Sequence, residues 1–151
     1  MSKRNEVVVK DQGWNRISAD MREIRKHGVK VGITGPETSP EGEDLLSIGI
    51  ANELGTDTIP ARPFVSGAFD EHRRELSRTK DRLWRQILMG RMSPDRALGL
   101  LGEMHSGQIK EYMTALDTPP NAPSTIAAKR GGDNPLIDQG HLRRAIQWER
   151  Y

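Results

Sequence analysis

The sequence of 151 residues contains no cysteine, few aromatic residues and no long apolar run. Without cysteine the chain cannot form disulfides, thiolate metal sites or a cysteine nucleophile, and this composition fits a reducing compartment. No segment approaches the roughly 20 apolar residues that a membrane-spanning helix needs. Residues 1–10 also lack the apolar core of a secretory signal. We therefore expect a protein that is made and used in the cytoplasm.

Charge is abundant but nearly balanced, with 29% charged residues, 34% hydrophobic residues and a net charge of +2. This composition predicts a single domain over residues 1–151 with a modest core, stabilised further by burial in an assembly. Residues 1–34 carry eight Lys/Arg and four Asp/Glu, residues 35–66 carry one and six, and residues 67–92 carry seven and four. An acidic segment between basic ones favours surfaces that dock on one another over a uniform phosphate-binding face.

Hydrophobic periodicity predicts short strands near both ends of the chain and helices between them. The predicted strands are 6–10, 29–34, the first half of 45–56 as the return strand of a hairpin, and a final strand within 145–151. The predicted helices are 14–27, 67–90, about 94–116, about 123–129 and one helical turn near 141–145. The two long helices form a helical hairpin over about 67–116.

Two stretches of the chain are rich in proline and glycine or in turn-forming residues. Residues 35–44 contain glycines, prolines and acids and predict an exposed, mobile loop. We expect a partner to order its acidic part, residues 37–44, which we call the acidic loop. The segment "DTIPARPF" is not regular helix, because Pro60 and Pro63 lack the amide hydrogen. It either leads into a long helix with Phe64 in the core, or presents Arg62 and Phe64 rigidly to a neighbouring subunit.

The partner of Arg62 stays open between a carboxylate of the same chain and one of a neighbouring subunit. We predict that Arg62→Ala impairs assembly more than folding of the monomer. Phe64 and Trp148 also leave two interpretations open. Each is either a core residue or a residue that contacts another subunit.

Signals of catalysis are weak throughout. The glycine-bearing segment "GITGPETS" lacks the Gly-Lys-Ser/Thr of a phosphate-binding loop, and the four histidines have no metal-like spacing. Glu41, Glu43 and Asp44 predict a solvated acidic loop and not a cation site. A nuclease with Asp133 and Asp138, and a DNA-binding module with the basic helix 67–91, remain alternatives. We predict no catalytic residue, no cofactor and no metal site, and hence a protein that is not an enzyme.

Two motifs resemble a known family. The first is "NELGT…IPARPF", and the second is "NAPSTIAAKRGGDNPLIDQGHLRRAIQW", which follows a helical stretch. The chain resembles the tail-completion or neck proteins of tailed bacteriophages, also described as virion-morphogenesis or tail-component proteins. The first motif matches at Asn52, Glu53, Gly55, Thr56, Ile59, Pro60, Ala61, Arg62, Pro63 and Phe64, and the second at Pro135, Leu136, Asp138, Gly140, Leu142 and Ile146. Leu54, Gln139 and Ala145 depart from the family's phenylalanine, threonine and serine.

The resemblance implies a small α+β subunit, with an antiparallel sheet packed against helices and the long helical hairpin inserted in the middle. It implies a non-catalytic ring at the head–tail junction of the virion, assembled in the host cytoplasm. The implied partners are further copies of the chain, head-side connector or adaptor proteins, and tail-tube or tail-terminator proteins. Contact with DNA in the channel would be loose and sequence-independent, and no membrane is involved.

A minor tail or tail-terminator subunit is a closely related alternative, because these proteins differ from a neck protein mainly in their position in the stack. We expect the interface residues at three places. These are the stiff segment "DTIPARPF", the acidic loop and the C-terminal end of the chain. They are Arg62, Phe64, Glu41, Glu43, Asp44, Arg143, Arg144 and Trp148.

Overall fold

A two-stranded antiparallel sheet and six helices make up the described part of the chain, which is residues 10–35, 38–130 and 132–151 of a computed structural model. The elements in chain order are α1 (Trp14–Lys26), β1 (Val29–Ile33), α2 (Leu45–Leu54), α3 (Phe64–Leu88), α4 (Pro94–Ala115), α5 (Pro123–Ala128), α6 (His141–Ala145) and β2 (Ile146–Arg150). The predicted α+β class is confirmed. The predicted strand at 6–10 lies, apart from Lys10, outside the described residues.

The sheet joins the first described strand to the last one. In the antiparallel register Val31 pairs with Trp148 and Ile33 pairs with Ile146. Both strands pack against α4. The predicted strands at 29–34 and within 145–151 are confirmed. The hairpin partner predicted within residues 45–56 is wrong, because β1 takes its partner from the C-terminal end of the chain.

The segment predicted as a return strand is the helix α2. Asp44 starts it, since its Oδ1 accepts hydrogen bonds from the amides of Leu46 (3.0 Å) and Ser47 (3.2 Å). Gly55, with φ of +77°, ends it. A Cβ at Gly49 would lie 2.0 Å from the side chain of Ile33, so the glycine allows α2 to pack directly on β1.

The long helices α3 and α4 form the predicted helical hairpin. Ser93 caps α4 by accepting from the amide of Arg96 at 3.3 Å, and Pro94 occupies the first turn, as the sequence indicates. Helix α3 begins at Phe64, three residues earlier than predicted. The short helices α5 and α6 also lie at the predicted positions.

The hydrophobic core has two parts, one toward each end of the hairpin. The larger cluster surrounds the sheet and α6, and its buried members are Leu45, Phe64, Ala68, Ile109, Met113, Leu136, Leu142, Ala145 and Ile146. The smaller cluster consists of Leu83, Ile87 and Ala97, with Ile24, Trp84, Met92 and Leu101 packed against it. The helix α1 therefore contributes to the smaller cluster only.

Polar contacts of two arginines add to the docking of α1. Arg16 donates to the carbonyl oxygens of Ile87 (2.9 Å) and Leu88 (2.8 Å), the last residues of α3. Arg150, at the end of β2, pairs with Glu23 of α1 at 2.5 Å. No residue of α1 is fully buried, so these contacts carry much of its attachment.

Candidate functional site

The side chain of Arg62, in the first motif, forms hydrogen bonds with two distant segments of the chain. Its Nε donates to the carbonyl oxygen of Pro119 (2.7 Å), and its Nη2 donates to the carbonyl oxygen of Pro120 (3.0 Å) and to Oδ1 of Asn121 (3.2 Å). Its Nη1 donates to Oδ1 of Asn52 (3.2 Å). One side chain thus ties the end of α2 to the segment that follows α4.

Arg62 is 3% exposed, and burial lowers the pKa of its guanidinium. An arginine keeps its charge even with such a shift, and the surrounding carbonyl and amide oxygens stabilise that charge. Its partners are neutral oxygens of the same chain, so neither predicted carboxylate pairing describes them. Phe64 is fully buried. The expectation that Arg62 and Phe64 face a neighbouring subunit is therefore corrected, since both side chains are internal.

Glu53, also in the first motif, starts the helix α3. Its carboxylate accepts from the amides of Val65 (2.8 Å) and Ser66 (3.0 Å) and from the hydroxyl of Ser66 (2.6 Å). Pro63 precedes α3 and offers no capping side chain. A carboxylate from α2 therefore takes the place of the cap and fixes the angle between α2 and α3.

Asn134 performs a similar role for the second motif. Its Nδ2 lies within hydrogen-bond distance of the carbonyl oxygens of Met113 (3.2 Å), Thr114 (3.1 Å) and Leu116 (3.3 Å) at the end of α4. Its Oδ1 accepts from the amide of Leu136 at 2.9 Å. The asparagine thereby closes the helix end and holds the turn that follows it.

Lys129 supports the same turn from the other side. Its Nζ donates to the carbonyl oxygens of Asn134 and Ile137, the latter at 2.7 Å. Burial lowers the pKa of this lysine, while the nearby carboxylates of Asp138 and Asp133 oppose that shift. Asp138 in turn accepts from the amide of Arg130 at 2.8 Å, which places it in the turn structure.

An open groove of about 590 Å³ lies where the two motifs meet. Both motifs and the acidic loop contribute to its walls. The lining residues include Asn52, Ile59, Arg62, Asn121, Lys129, Pro135, Leu136, Leu142, Glu41, Glu43 and Arg130. Its lining mixes apolar side chains such as Leu45, Ile48 and Leu136 with charged ones, which suits a segment of another protein better than a small reacting molecule. This groove is the candidate functional site.

His141 joins the acidic loop to α6 at the edge of the groove. Its Nδ1 lies 2.7 Å from Nη2 of Arg144. Because arginine can only donate, Nδ1 accepts and the neutral ring carries its proton on Nε2. That atom lies 3.4 Å from Oε2 of Glu41, which is too long for a strong hydrogen bond.

The acidic loop is largely exposed, as predicted, but part of it is structured. Thr38 forms an isolated β-bridge with Asp44, and Ser39 is 6% exposed. The pKa of Asp44 is lowered chiefly by the hydroxyl of Ser47, which donates to its Oδ2 at 2.5 Å. Asp44 is thus a helix cap, while Glu41 and Glu43 lie on the groove. The expectation that a partner orders this loop stays a prediction.

The three C-terminal candidates differ in placement. Arg143 is half-buried, and its Nε donates to the carbonyl oxygen of Lys110 and to the hydroxyl of Thr114, both at 3.2 Å. Arg144 is exposed. Trp148 is half-buried against α4, and its Nε1 donates to Glu103 at 2.9 Å. Trp148 therefore has a packing role, and Arg144 is the most available of the three.

Sequence reasoning missed an exposed apolar stripe on α2. Leu46, Ile50 and Leu54 are 46%, 50% and 73% exposed and recur every four residues. The spacing is visible in the sequence, but the predicted strand covers only the first half of 45–56, so it holds Leu46 and Ile50 and leaves Leu54 in the irregular exit. As a helix, α2 presents them together on the side opposite Leu45 and Ile48.

The described residues bring together no group of three His, Asp or Glu side chains that could hold a metal ion. Within residues 10–35, 38–130 and 132–151, every helix is too short or too polar to cross a bilayer. Comparison with known proteins finds no matching family model, no matching curated protein and no matching solved structure.

Proposed function

We propose that this chain is a non-catalytic structural subunit of the neck of a tailed bacteriophage, which completes the tail and joins it to the head connector. The observation that carries the proposal is that matched residues of both family-like motifs line one groove. Asn52, Ile59 and Arg62 of the first motif and Pro135, Leu136 and Leu142 of the second all contribute to its walls. Such convergence is expected if the two motifs form a single signature.

The matched residues act as scaffold, and their neighbours supply the contact surface. Arg62 and Phe64 are internal, whereas Glu41, Glu43 and Arg144 lie at or near the groove and remain exposed. The stripe of Leu46, Ile50 and Leu54 adds apolar area on the other side of α2. A rigid frame with exposed charged and apolar surfaces suits binding to further copies and to connector or tail proteins.

The test is electron microscopy of particles from a phage in which the gene carries a stop codon. We expect separate filled heads and separate tails, which join when the purified wild-type chain is added. Joined virions without the protein would refute the neck role. Complete heads with tails of aberrant length would instead indicate a tail-terminator subunit.

Surface variants connect this test to the structure. Ile50→Glu on the α2 stripe should fail to restore joining while folding normally, because it places a charge in an apolar contact. Leu100→Glu is the matched control, since Leu100 on α4 is 45% exposed but lies outside the stripe. Equal restoration by both variants would remove the stripe from the proposed contact surface.

A further inference from the structure

The C-terminal half of α3 carries a patch of arginines that the motifs do not involve. Arg78, Arg82, Arg85 and Arg91 line a shallow depression of about 400 Å³ together with Asp81, Gln86 and Met89. All four arginines are exposed, and in the described part of the chain none forms an ion pair or a side-chain hydrogen bond. We call these four residues the arginine patch.

Three other arginines of this chain are held by internal partners. Arg16 pairs with Asp20 at 2.9 Å, Arg150 pairs with Glu23 at 2.5 Å, and Arg62 is surrounded by oxygens. The patch therefore holds positive charge that internal contacts do not neutralise. Asp81 is the one carboxylate in the lining, and four guanidinium groups against it leave a net charge of +3. The Nζ of Lys80 lies 4.0 Å from Oδ1 of Asp81 and offsets part of the negative charge of that carboxylate.

The C-terminal end of a helix normally carries partial negative charge, which would repel an anion. Here Arg16 donates to the carbonyl oxygens of Ile87 and Leu88, the last residues of α3. These bonds satisfy the helix end and offset its negative charge. The patch beside it is therefore electrostatically suited to anions despite lying at a helix C-terminus.

The spacing of the patch matches a row of phosphates. Arg78, Arg82 and Arg85 follow one another at intervals of four and three residues, which places them on one face of α3. At about 1.5 Å rise per residue, they span about 10 Å along the helix axis. One strand of a DNA duplex presents a phosphate about every 3.4 Å along its axis, hence about three phosphates over that length.

We propose that the arginine patch binds the phosphate backbone of duplex DNA without reading its sequence. An acidic protein surface is a poorer fit, because protein interfaces centre on buried aromatic or aliphatic anchors. The lining of the depression contains no aromatic residue, and Met89 is its one apolar side chain. This inference does not depend on the neck proposal, since it concerns a surface remote from the groove.

The test measures binding of the full-length chain to a fluorescent DNA duplex by anisotropy at several salt concentrations. With four phosphate contacts, log K should fall against log salt with a slope of about −3.6, a loss of about 10²-fold between 50 and 200 mM salt. Arg82→Gln combined with Arg85→Gln should reduce the slope by about 2 and weaken binding at low salt. Binding should be equal for duplexes of unrelated sequence.

The matched control is Arg22→Gln combined with Arg25→Gln, two exposed arginines of α1. It changes the net charge by the same amount and should leave the slope near the wild-type value. The inference is overturned if the control and the patch variant lose binding equally. It is also overturned if polyglutamate, added at the same concentration of negative charge as the DNA, displaces the duplex. A patch variant that keeps DNA binding but loses self-association would overturn it as well.

Discussion

At Arg62 a permanent positive charge lies inside the chain because neutral oxygens surround the guanidinium. Its five N–H groups can satisfy several carbonyl oxygens at once, which a lysine cannot do in a fixed plane. The prolines beside it make the segment visibly unusual in the sequence. Its partners, Pro119 and Pro120, lie 57 and 58 residues away, and no local pattern connects them to it.

We expect Arg62→Ala to destabilise folding before it affects any assembly, which reverses the expectation drawn from the sequence. Four hydrogen bonds are lost and buried oxygens are left unpaired, for a loss of about 3 kcal/mol or more in the free energy of unfolding. Urea denaturation measures this loss, with the exposed Arg22→Ala as the control. A stable Arg62→Ala chain that fails only in assembly would restore the intersubunit interpretation.

A second residue-scale contact involves Trp148 and a glycine of α4. A Cβ at Gly102 would lie 2.6 Å from Cγ and Cδ2 of the indole ring, so the ring occupies the space of the missing side chain. Gly102 is buried, and the hydrogen bond from Trp148 to Glu103 holds the ring in place. The strand β2 is thereby fixed on α4.

We predict opposite effects of two glycine-to-alanine changes in the same helix. Gly102→Ala should lower the free energy of unfolding by about 1–3 kcal/mol, because the ring and β2 must move. Gly107→Ala should raise it by about 0.5–1 kcal/mol, since nothing lies within 4 Å of its added Cβ and alanine favours helix. Thermal denaturation decides between them, and equal effects would contradict the packing of Trp148 on Gly102.

At the scale of elements, a polar network connects the two helices of the hairpin. The Nδ1 of His105 lies 3.2 Å from Gln108, and Gln108 donates to Glu75 of α3 at 3.0 Å. Glu75 also lies 3.4 Å from His72. Burial lowers the pKa of His105, the bond to Gln108 opposes that shift, and the charge of His72 adds to it.

The lowered pKa of His105 predicts that the hairpin weakens in mild acid. The unfolded chain binds the proton first, at a pKa near 6.5, so stability is fully present above that pH. It is lost as the pH falls from there through the lower pKa of the folded state. Melting temperatures between pH 8 and pH 5 should therefore fall less in His105→Asn than in the wild type. Parallel profiles would contradict the prediction.

Helix boundaries show how far an element can be predicted from its own residues. Ser93 and Pro94 mark the start of α4 because a cap acts on amides two or three residues away. The start of α3 is less visible, since its capping carboxylate is Glu53, which lies 12 residues before Val65. The prediction of a strand for the first half of 45–56 is wrong because α2 is apolar on several sides and its cap, Asp44, lies in an acidic run.

At the scale of the whole molecule, the two core clusters have unequal size. The larger one holds nine buried residues, which come from the sheet, α2, α3, α4, α6 and, with Leu136, the turn before α6, and the smaller one holds three. The helix α1 packs only beside the smaller cluster. Stability should therefore be unevenly distributed, with α1 and the α3–α4 turn opening more readily than the sheet.

We predict that two isoleucine truncations separate these regions in hydrogen exchange. Ile109→Ala, in the larger cluster, should cost about 2–5 kcal/mol and speed exchange of the slowest amides everywhere. Ile87→Ala, in the smaller cluster, should speed exchange mainly in α1 and near residues 88–93. Mass spectrometry of the exchanged chain resolves both patterns. Identical patterns for the two variants would mean that the chain unfolds as one cooperative unit.

The sequence by itself determined the two long helices and their turn, the positions of both strands, and the short helices after α4. These features depend on periodicity, caps and turn residues, whose physical causes act over a few neighbouring positions. The tertiary structure alone decided that β1 pairs with the last strand, that Arg62 is internal, and that Leu46, Ile50 and Leu54 share an exposed face. Those outcomes depend on which distant segments bury each other, and the residues near each site carry no record of that choice.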